Sequence, residues 1–198
     1  MKRGAKVRIA RALGVALTPK AARIMERRPN PPGQHGATMR RKVSDYKKQL
    51  LEKQRLRAQY NISERQLQNA FTEATRQSGN TGVNLVRLLE MRLDAVVMRA
   101  GFARTIYAAR QAVVHGHVQV NGRKVDRPSR RLQPGDQVSL AARSRDMIAF
   151  TVPLENARPP AYLDLDKERR AVKVRELPER EQIPVQAELS LIVEYYSR

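Results

Sequence analysis

The apolar residues of this chain change their period near residue 117, and that change decides the fold class. Upstream they recur at i, i+3, i+4 and i+7, the spacing of one helix face; downstream they alternate, as in a strand buried on one side. Ser63-Glu64-Arg65-Gln66 has the form of a capping box, and Leu67, Ala70, Phe71 and Ala74 follow with helical spacing to a stop at Gly79. A second stripe opens at Asn84 and runs through Leu85, Leu88, Leu89, Leu93, Val96, Val97 and Ala100 to Gly101, which predicts one continuous helix. Thr105 caps a shorter helix, with Ala108, Ala109, Ala112 and Val113 inward and Gly116 as its stop. Val118 and Val120 lead into Asn121-Gly122, a pair favoured in tight hairpins because both residues tolerate positive φ. Pro134-Gly135-Asp136 marks another turn before Val138 and Leu140. Ile148/Phe150/Val152, Leu163/Leu165 and Val172/Val174 also alternate, the last two as a hairpin across Lys167–Arg170. Leu189, Ile192, Val193 and Tyr196 have helical spacing, although a strand through Leu189, Leu191 and Val193 fits as well. The class is α+β. Returning the last helix to the early ones makes residues 92–180 an insertion.

Charge narrows what such a fold meets. Lys and Arg number 39 against 19 Asp and Glu, a formal net charge of +20 over 198 residues. So large an excess strains the isolated protein by self-repulsion and makes a dense polyanion its natural partner. Nucleic acid fits and a membrane does not, because no apolar run approaches the roughly 18 residues needed to span a bilayer. Residues 1–60 carry a net +14, residues 61–84 balance, residues 85–135 carry +7 and residues 136–198 carry −1. RNA is therefore expected to meet the N-terminal segment first and the central one second. There is no Cys and there are only three His, so disulfides are excluded and no metal or cofactor is expected. The start is Arg-rich and acid-poor like an organellar transit peptide. Its basic character runs on into the structured part, and a cytosolic RNA-binding arm is the better reading.

Residues 1–43 are short of core formers and broken by Pro29, Pro31, Pro32, Gly33 and Gly36. Short helices over 6–17 and 20–28 bury little alone, so an extended arm that orders on its partner is expected. Ser44-Asp45 caps a basic helix to about Arg57, with Tyr46 and Leu50 on one face. Glu26-Arg27-Arg28-Pro29-Asn30-Pro31-Pro32-Gly33-Gln34-His35-Gly36 suits an RNA backbone: the prolines lose little entropy on ordering, the glycines admit a phosphate, and Gln34 and His35 donate to sugar or base edges. In the centre, Arg99, Arg104 and Arg110 on helices line up with Arg123 and Lys124 beside the hairpin turn, a surface matched to phosphates held at fixed spacing.

This central stretch, from Arg92-Leu93-Asp94 to Val120-Asn121-Gly122-Arg123-Lys124-Val125, resembles the alpha-L RNA-binding module shared by ribosomal proteins, pseudouridine synthases and tyrosyl-tRNA synthetases. The Pro/Gly arm, Ser44-Asp45-Tyr46, Glu52-Lys53-Gln54-Arg55-Leu56 and the terminal Ile192-Val193-Glu194-Tyr195-Tyr196-Ser197-Arg198 resemble, in the same order, the S-four family of small-ribosomal-subunit proteins. The chain looks like the cysteine-free variety, without the four-cysteine zinc knuckle of many bacterial members. Asn30, Ala95 and Met98 depart from the family pattern, which has an aromatic, an amide and an aromatic there. The resemblance implies a basic arm (1–43), a helical domain (44–91 with 185–198) completed by the C-terminal helix, and an inserted alpha-L domain (92–184) of helices on a small, mainly antiparallel sheet. It also implies early binding to a multi-helix junction in the 5′ domain of small-subunit rRNA. A place beside protein S-five, close to where messenger RNA enters the subunit, is implied as well. Expected RNA contacts from the arm are Arg27, Arg28, Pro32, Gly33, Gln34, His35, Arg40, Arg41 and Lys42. The basic helix adds Tyr46, Lys47 and Arg55. The module adds Arg92, Arg99, Arg104, Arg110, His115, His117, Asn121, Arg123 and Lys124.

Two other classes have a foothold in the sequence. Arg92-Leu93-Asp94 matches the catalytic tripeptide of pseudouridine synthases, but those enzymes continue into a Thr/Ser-Gly-Leu strand, whereas Ala95-Val96-Val97-Met98 continues a helix. An ion pair of Asp94 with Arg92 or Arg99 is the expected role. Gly33 and Gly36 precede no Gly-Lys-Ser/Thr and make no phosphate loop. No nucleophile or nucleotide constellation flanks the module, so an enzyme is not expected. A free RNA chaperone or translational regulator remains compatible with the module.

Overall fold

The computed structural model describes residues 6–38 and 43–197. The chain divides into two compact units, Met1–Asn69 with Val185–Arg198, and Ala70–Pro184.

The first unit is helical. Helix α1 (Lys6–Leu13) packs on α2 (Pro19–Arg27), whose start is fixed by Pro19 and by the Thr18 hydroxyl accepting from the Ala21 N–H at 3.1 Å. Helix α3 (Asp45–Gln59) is capped by the Ser44 hydroxyl, which accepts from the Lys47 N–H. The C-terminal segment forms a helix, α9 (Leu189–Tyr196), which lies along α3. Gln49 donates to Glu194 at 2.8 Å, and the side chain of Gln59 both donates to and accepts from the Gln186 backbone. The strand alternative for Leu189–Val193 falls, because Ile192 is buried against α3 while neighbouring backbone groups pair within the helix.

The N-terminal segment is not the extended arm the sequence predicts. Ala10, Leu13, Val15, Leu17 and Ala21 are buried, and Arg55 donates its Nε–H to the Leu13 carbonyl at 2.7 Å. Small alanines let two short helices close on each other, and Arg11 fastens the following turn through the Asn30 carbonyl at 2.7 Å. The segment thus contributes core as well as charge.

Helix α4 (Glu64–Thr75) carries the chain into the second unit; the predicted box at its start is made, with Gln66 N–H on the Ser63 hydroxyl and Ser63 N–H on the Gln66 carboxamide. Instead of one helix from Asn84 to Ala100 there are two, α5 (Thr81–Glu90) and α6 (Leu93–Arg99). Asn80, not Asn84, is the cap. The break at Met91-Arg92 is imposed from afar: Leu93 N–H bonds the Arg130 carbonyl and Leu132 N–H the Met91 carbonyl, each at 2.8 Å. Helix α7 (Ile106–Val114) follows with Thr105 as cap, burying Ile106, Ala109, Ala112 and Val113 but leaving Ala108 exposed.

Strands β1 (Val118–Val120), β2 (Arg123–Lys124), β3 (Gln137–Leu140), β4 (Leu163–Asp166) and β5 (Ala171–Val174) form an antiparallel sheet in the order β2-β1-β3-β5-β4. The β1–β2 turn is Asn121 at φ +50° and Gly122 at φ +77°, the left-handed pair the sequence predicts. Ile148/Phe150/Val152 is not a strand: Ile148–Glu155 is helix α8, which buries Phe150 and Leu154 at i, i+4 and leaves Ile148 78% exposed. The core joins Leu93, Val96, Phe102 and Val113 from the helices to Val118, Val138, Leu140, Val172 and Val174 from the sheet.

Residues 70–90 belong by contact to the second unit: Arg131 pairs with Glu73, Arg87 donates to the Pro178 carbonyl, and the Glu90 carboxylate accepts from Arg99 and Tyr162.

Candidate nucleic-acid interface

In the second unit the basic residues fall into two groups, and burial separates them. Arg92 is 6% exposed and grips Asp94 through two hydrogen bonds, Nε to Oδ1 at 3.0 Å and Nη2 to Oδ2 at 2.9 Å. The predicted Asp94 ion pair is thus made with Arg92. Arg110 adds a looser approach to Asp94 at 3.9 Å and keeps about a third of its side chain in solvent. Burial raises the Asp94 carboxyl above the usual carboxylate value in spite of both arginines. Arg99 turns instead to the fully buried Glu90, with Nε at 2.5 Å. Tyr162 donates its hydroxyl to the same carboxylate at 2.9 Å, and burial together with that charge pushes its phenol far above its ordinary value. Arg92 is a strut of the fold, and Arg99 is half committed.

The second group faces water. Arg104, Arg123 and Lys124 are exposed. Gly116, at φ +71°, lies under the Lys124 stem, where an added Cβ would stand 2.4 Å from Cε. The Lys124 stem thereby lies beside the end of α7. His115 is exposed. His117 bonds Ser144 Oγ through Nδ1 at 2.8 Å, and burial, then Arg143 and His115, hold its pKa below the ordinary imidazole value, so it is neutral at pH 7. The Asn121 side chain is occupied in the turn, donating to Asp136 at 2.8 Å and accepting from Gln137 N–H at 2.9 Å. It shapes the hairpin.

In the first unit Arg27, Arg28, Gln34 and His35 are exposed and Pro32 is half-buried. Gly33 is at φ +115° with open space around it, and Gly36 closes the turn by donating to the Gly33 carbonyl at 3.2 Å. A Cβ on Gly36 would sit 2.0 Å from the Pro31 carbonyl oxygen, so this turn tolerates only glycine there. Arg40, Arg41 and Lys42 lie outside the described residues. Tyr46 is half exposed, its ring 5.9 Å from that of Tyr195, and Lys47 is exposed. Farther along α3 the charge is spent internally. Lys53 bonds Glu64 at 2.7 Å and lies over the Tyr195 ring, Arg57 bonds Glu64 at 3.0 Å, and Arg55 pairs with Glu52.

A family model described as "Ribosomal protein S4/S9 N-terminal domain" matches residues 1–90, and one described as "S4 domain" matches residues 91–138. The chain is 53% identical to the small ribosomal subunit protein uS4 of Beutenbergia cavernae, over 98% of this chain and 96% of that protein. It belongs to the uS4 family. The uS4 proteins of Leifsonia xyli and Streptomyces coelicolor are each 52% identical, over 97% and 98% of this chain and 96% and 97% of their own lengths. These relatives are named as ribosomal proteins, not as enzymes.

Several exposed cations of this uS4 member escaped the sequence reading. Arg127 and Arg130 sit in the loop after β2, within the legible run Asp126-Arg127-Pro128-Ser129-Arg130-Arg131. Arg143 and Arg145 lie in a nearly neutral third of the chain, yet Arg143 reaches the His115 and Gly116 carbonyls at 3.4 Å and so joins the end of α7. No local signal marks it. Among the described residues no cluster of His, Asp or Glu is arranged to hold a metal, and no helix is long and apolar enough to cross a membrane.

Proposed function

We propose that this chain is a structural constituent of the small ribosomal subunit that binds small-subunit rRNA directly and works in the cytoplasm as part of that particle. The observation that carries the reading is the group of solvated cations Arg104, Arg123, Lys124, Arg127 and Arg143 on the compact helix–sheet unit, in a uS4-family chain of net charge +20. Arg123 and Lys124 stand on β2 and Arg104 on the short bend between α6 and α7, so these three meet phosphates with little loss of conformational freedom. Arg27, Arg28 and the Pro31–Gly36 turn provide a second patch, and two patches on one chain raise the effective concentration of each for a single RNA. The finer reading places the chain at a multi-helix junction of the 5′ domain, where it nucleates assembly. Its neighbour there is protein S-five, near the path by which messenger enters, where it contributes to translational accuracy.

Filter binding to a small-subunit rRNA fragment tests the reading. If about eight phosphates are contacted, affinity falls on the order of a thousandfold between 50 and 200 mM salt. Arg104→Glu with Arg123→Glu, both exposed, weakens binding and makes the salt slope shallower without altering the circular dichroism. A flat salt response in the unaltered protein refutes direct rRNA binding by this surface.

A further inference from the structure

Two adjoining clefts open on the second unit. The first, about 560 Å³, lies between α7 and α8. It exists because Ala108, Ala112 and Ala149 are too small to fill the space between the helices, and Ile148 stands exposed at its rim. Hydrogen-bonding groups interrupt its apolar wall: Gln111, the exposed His115, and His117, whose Nδ1 is taken by Ser144 so that Nε2 is the free nitrogen. The second cleft, about 370 Å³, is lined by Arg99, Arg104, Arg158 and Asn156. Ala103, Arg104 and Pro153 line both, so the two share a wall.

The pairing limits what fits. A regular RNA duplex presents sugars and phosphates outward and has nothing to place in an apolar cleft. An unstacked nucleotide has both halves: an apolar face with a hydrogen-bonding edge, and an attached anion. We propose that the paired clefts seat one unpaired nucleotide of the bound RNA, its base between α7 and α8 and its phosphate between Arg104 and Arg158. Guanidinium forks match phosphate oxygens two at a time, and His117, neutral at pH 7, offers its free nitrogen to a base edge. This rests on the rRNA-binding reading and adds what kind of RNA element the module selects. A flexible single-stranded bulge or junction strand meets the requirement, and a continuous helix does not.

The test uses the full chain and a small-subunit rRNA transcript. Ala108→Leu with Ala149→Leu fills the first cleft from two exposed positions. The unaltered protein should shield one unpaired base from base-specific chemical probes. The double variant should expose that base and lose about tenfold to a hundredfold in affinity, as expected for one stacked base, with its salt slope unchanged. Arg158→Ala should instead reduce the salt slope by about one. A double variant that folds, binds as tightly as the parent and keeps every base protection overturns the proposal. So does one that binds RNA normally but loses a neighbouring protein from reconstituted subunits, which would make the cleft a dock for protein. Should the double variant not fold, unchanged affinity and slope in Arg158→Ala overturn it alone. Absence of salt-dependent binding in the parent is a different result and defeats the underlying rRNA reading.

Discussion

Replacing Asp94 with Asn tests whether the Arg92–Asp94 pair holds the second unit together. The side chain is fully buried, and Arg92 is almost so. Asparagine keeps one oxygen for the Arg92 Nε–H but turns an amide donor toward Arg92 Nη2 and Arg110, which now meet it at 2.9 and 3.9 Å as an acceptor. One charge-assisted hydrogen bond is lost, about 1.5–3 kcal/mol, and a buried guanidinium keeps its charge without a counter-charge, for which removal of one partner costs about 3–5 kcal/mol. Burial already raises the Asp94 carboxyl, so the pair is less than ideal and the low end applies. We expect a loss of about 3 kcal/mol, or a Tm lower by roughly 10–15 °C for a unit of this size. Urea unfolding followed by circular dichroism measures it. Arg92→Met with Asp94→Leu should cost less than Asp94→Asn alone, since it removes both charges. A change under about 0.5 kcal/mol in Asp94→Asn, or a double variant worse than the single, refutes the reasoning. Well below its melting temperature Asp94→Asn should still bind rRNA, because Arg104, Arg123 and Lys124 do not depend on Asp94.

Deleting residues 1–43 should destabilise the first unit and not merely remove charge. Leu13, Val15 and Leu17 leave the core at about 1.5–3 kcal/mol each, so thermal scans should show a Tm lower by well over 5 °C; an unchanged Tm would mean the segment contributes nothing to folding. Glu64→Gln should flatten the acid limb of unfolding. Burial opposes the Glu64 charge, but hydrogen bonds from Lys53 and Tyr196 and the charges of Lys53 and Arg57 outweigh it, so its folded pKa lies below 4.5. Its stabilisation is therefore present above the ordinary carboxyl value and lost as pH falls through the folded one. Identical acid titrations of parent and variant would remove Glu64 from the account.

What the sequence showed well was local. Ser44, Ser63 and Thr105 cap helices through bonds to residues three ahead, and Asn121-Gly122 turns because of its own backbone preferences. What it hid was set at a distance. The Met91-Arg92 break is made by backbone bonds to Arg130 and Leu132, about forty residues on. The alternation at Ile148, Phe150 and Val152 fits a strand as well as a helix, and only the burial of Phe150 with Leu154 decides it. For the site, a count of cations cannot tell a solvated arginine from a strut. Arg55, Arg92 and Arg99 read as RNA contacts, but their partners Glu52, Asp94 and Glu90 hold them within the fold. The cleft between α7 and α8 gave no signal, because it is made by what Ala108, Ala112 and Ala149 leave empty.

Strand β2 is two residues long, lies at the rim of the sheet and consists of Arg123 and Lys124, both exposed. A sheet margin with unpaired backbone groups invites a further strand from another molecule, and short, charged margins are the usual protection. Here the protection is temporary by construction. Before the chain meets RNA, two adjacent cations repel a second copy that would extend the sheet. On the proposed reading, phosphates would neutralise them and the nucleic acid would cover the same margin. The chain therefore needs no separate guard against self-association at this margin, and substituting Arg123 and Lys124 with neutral residues should expose both weaknesses at once, in the free protein and in the bound one.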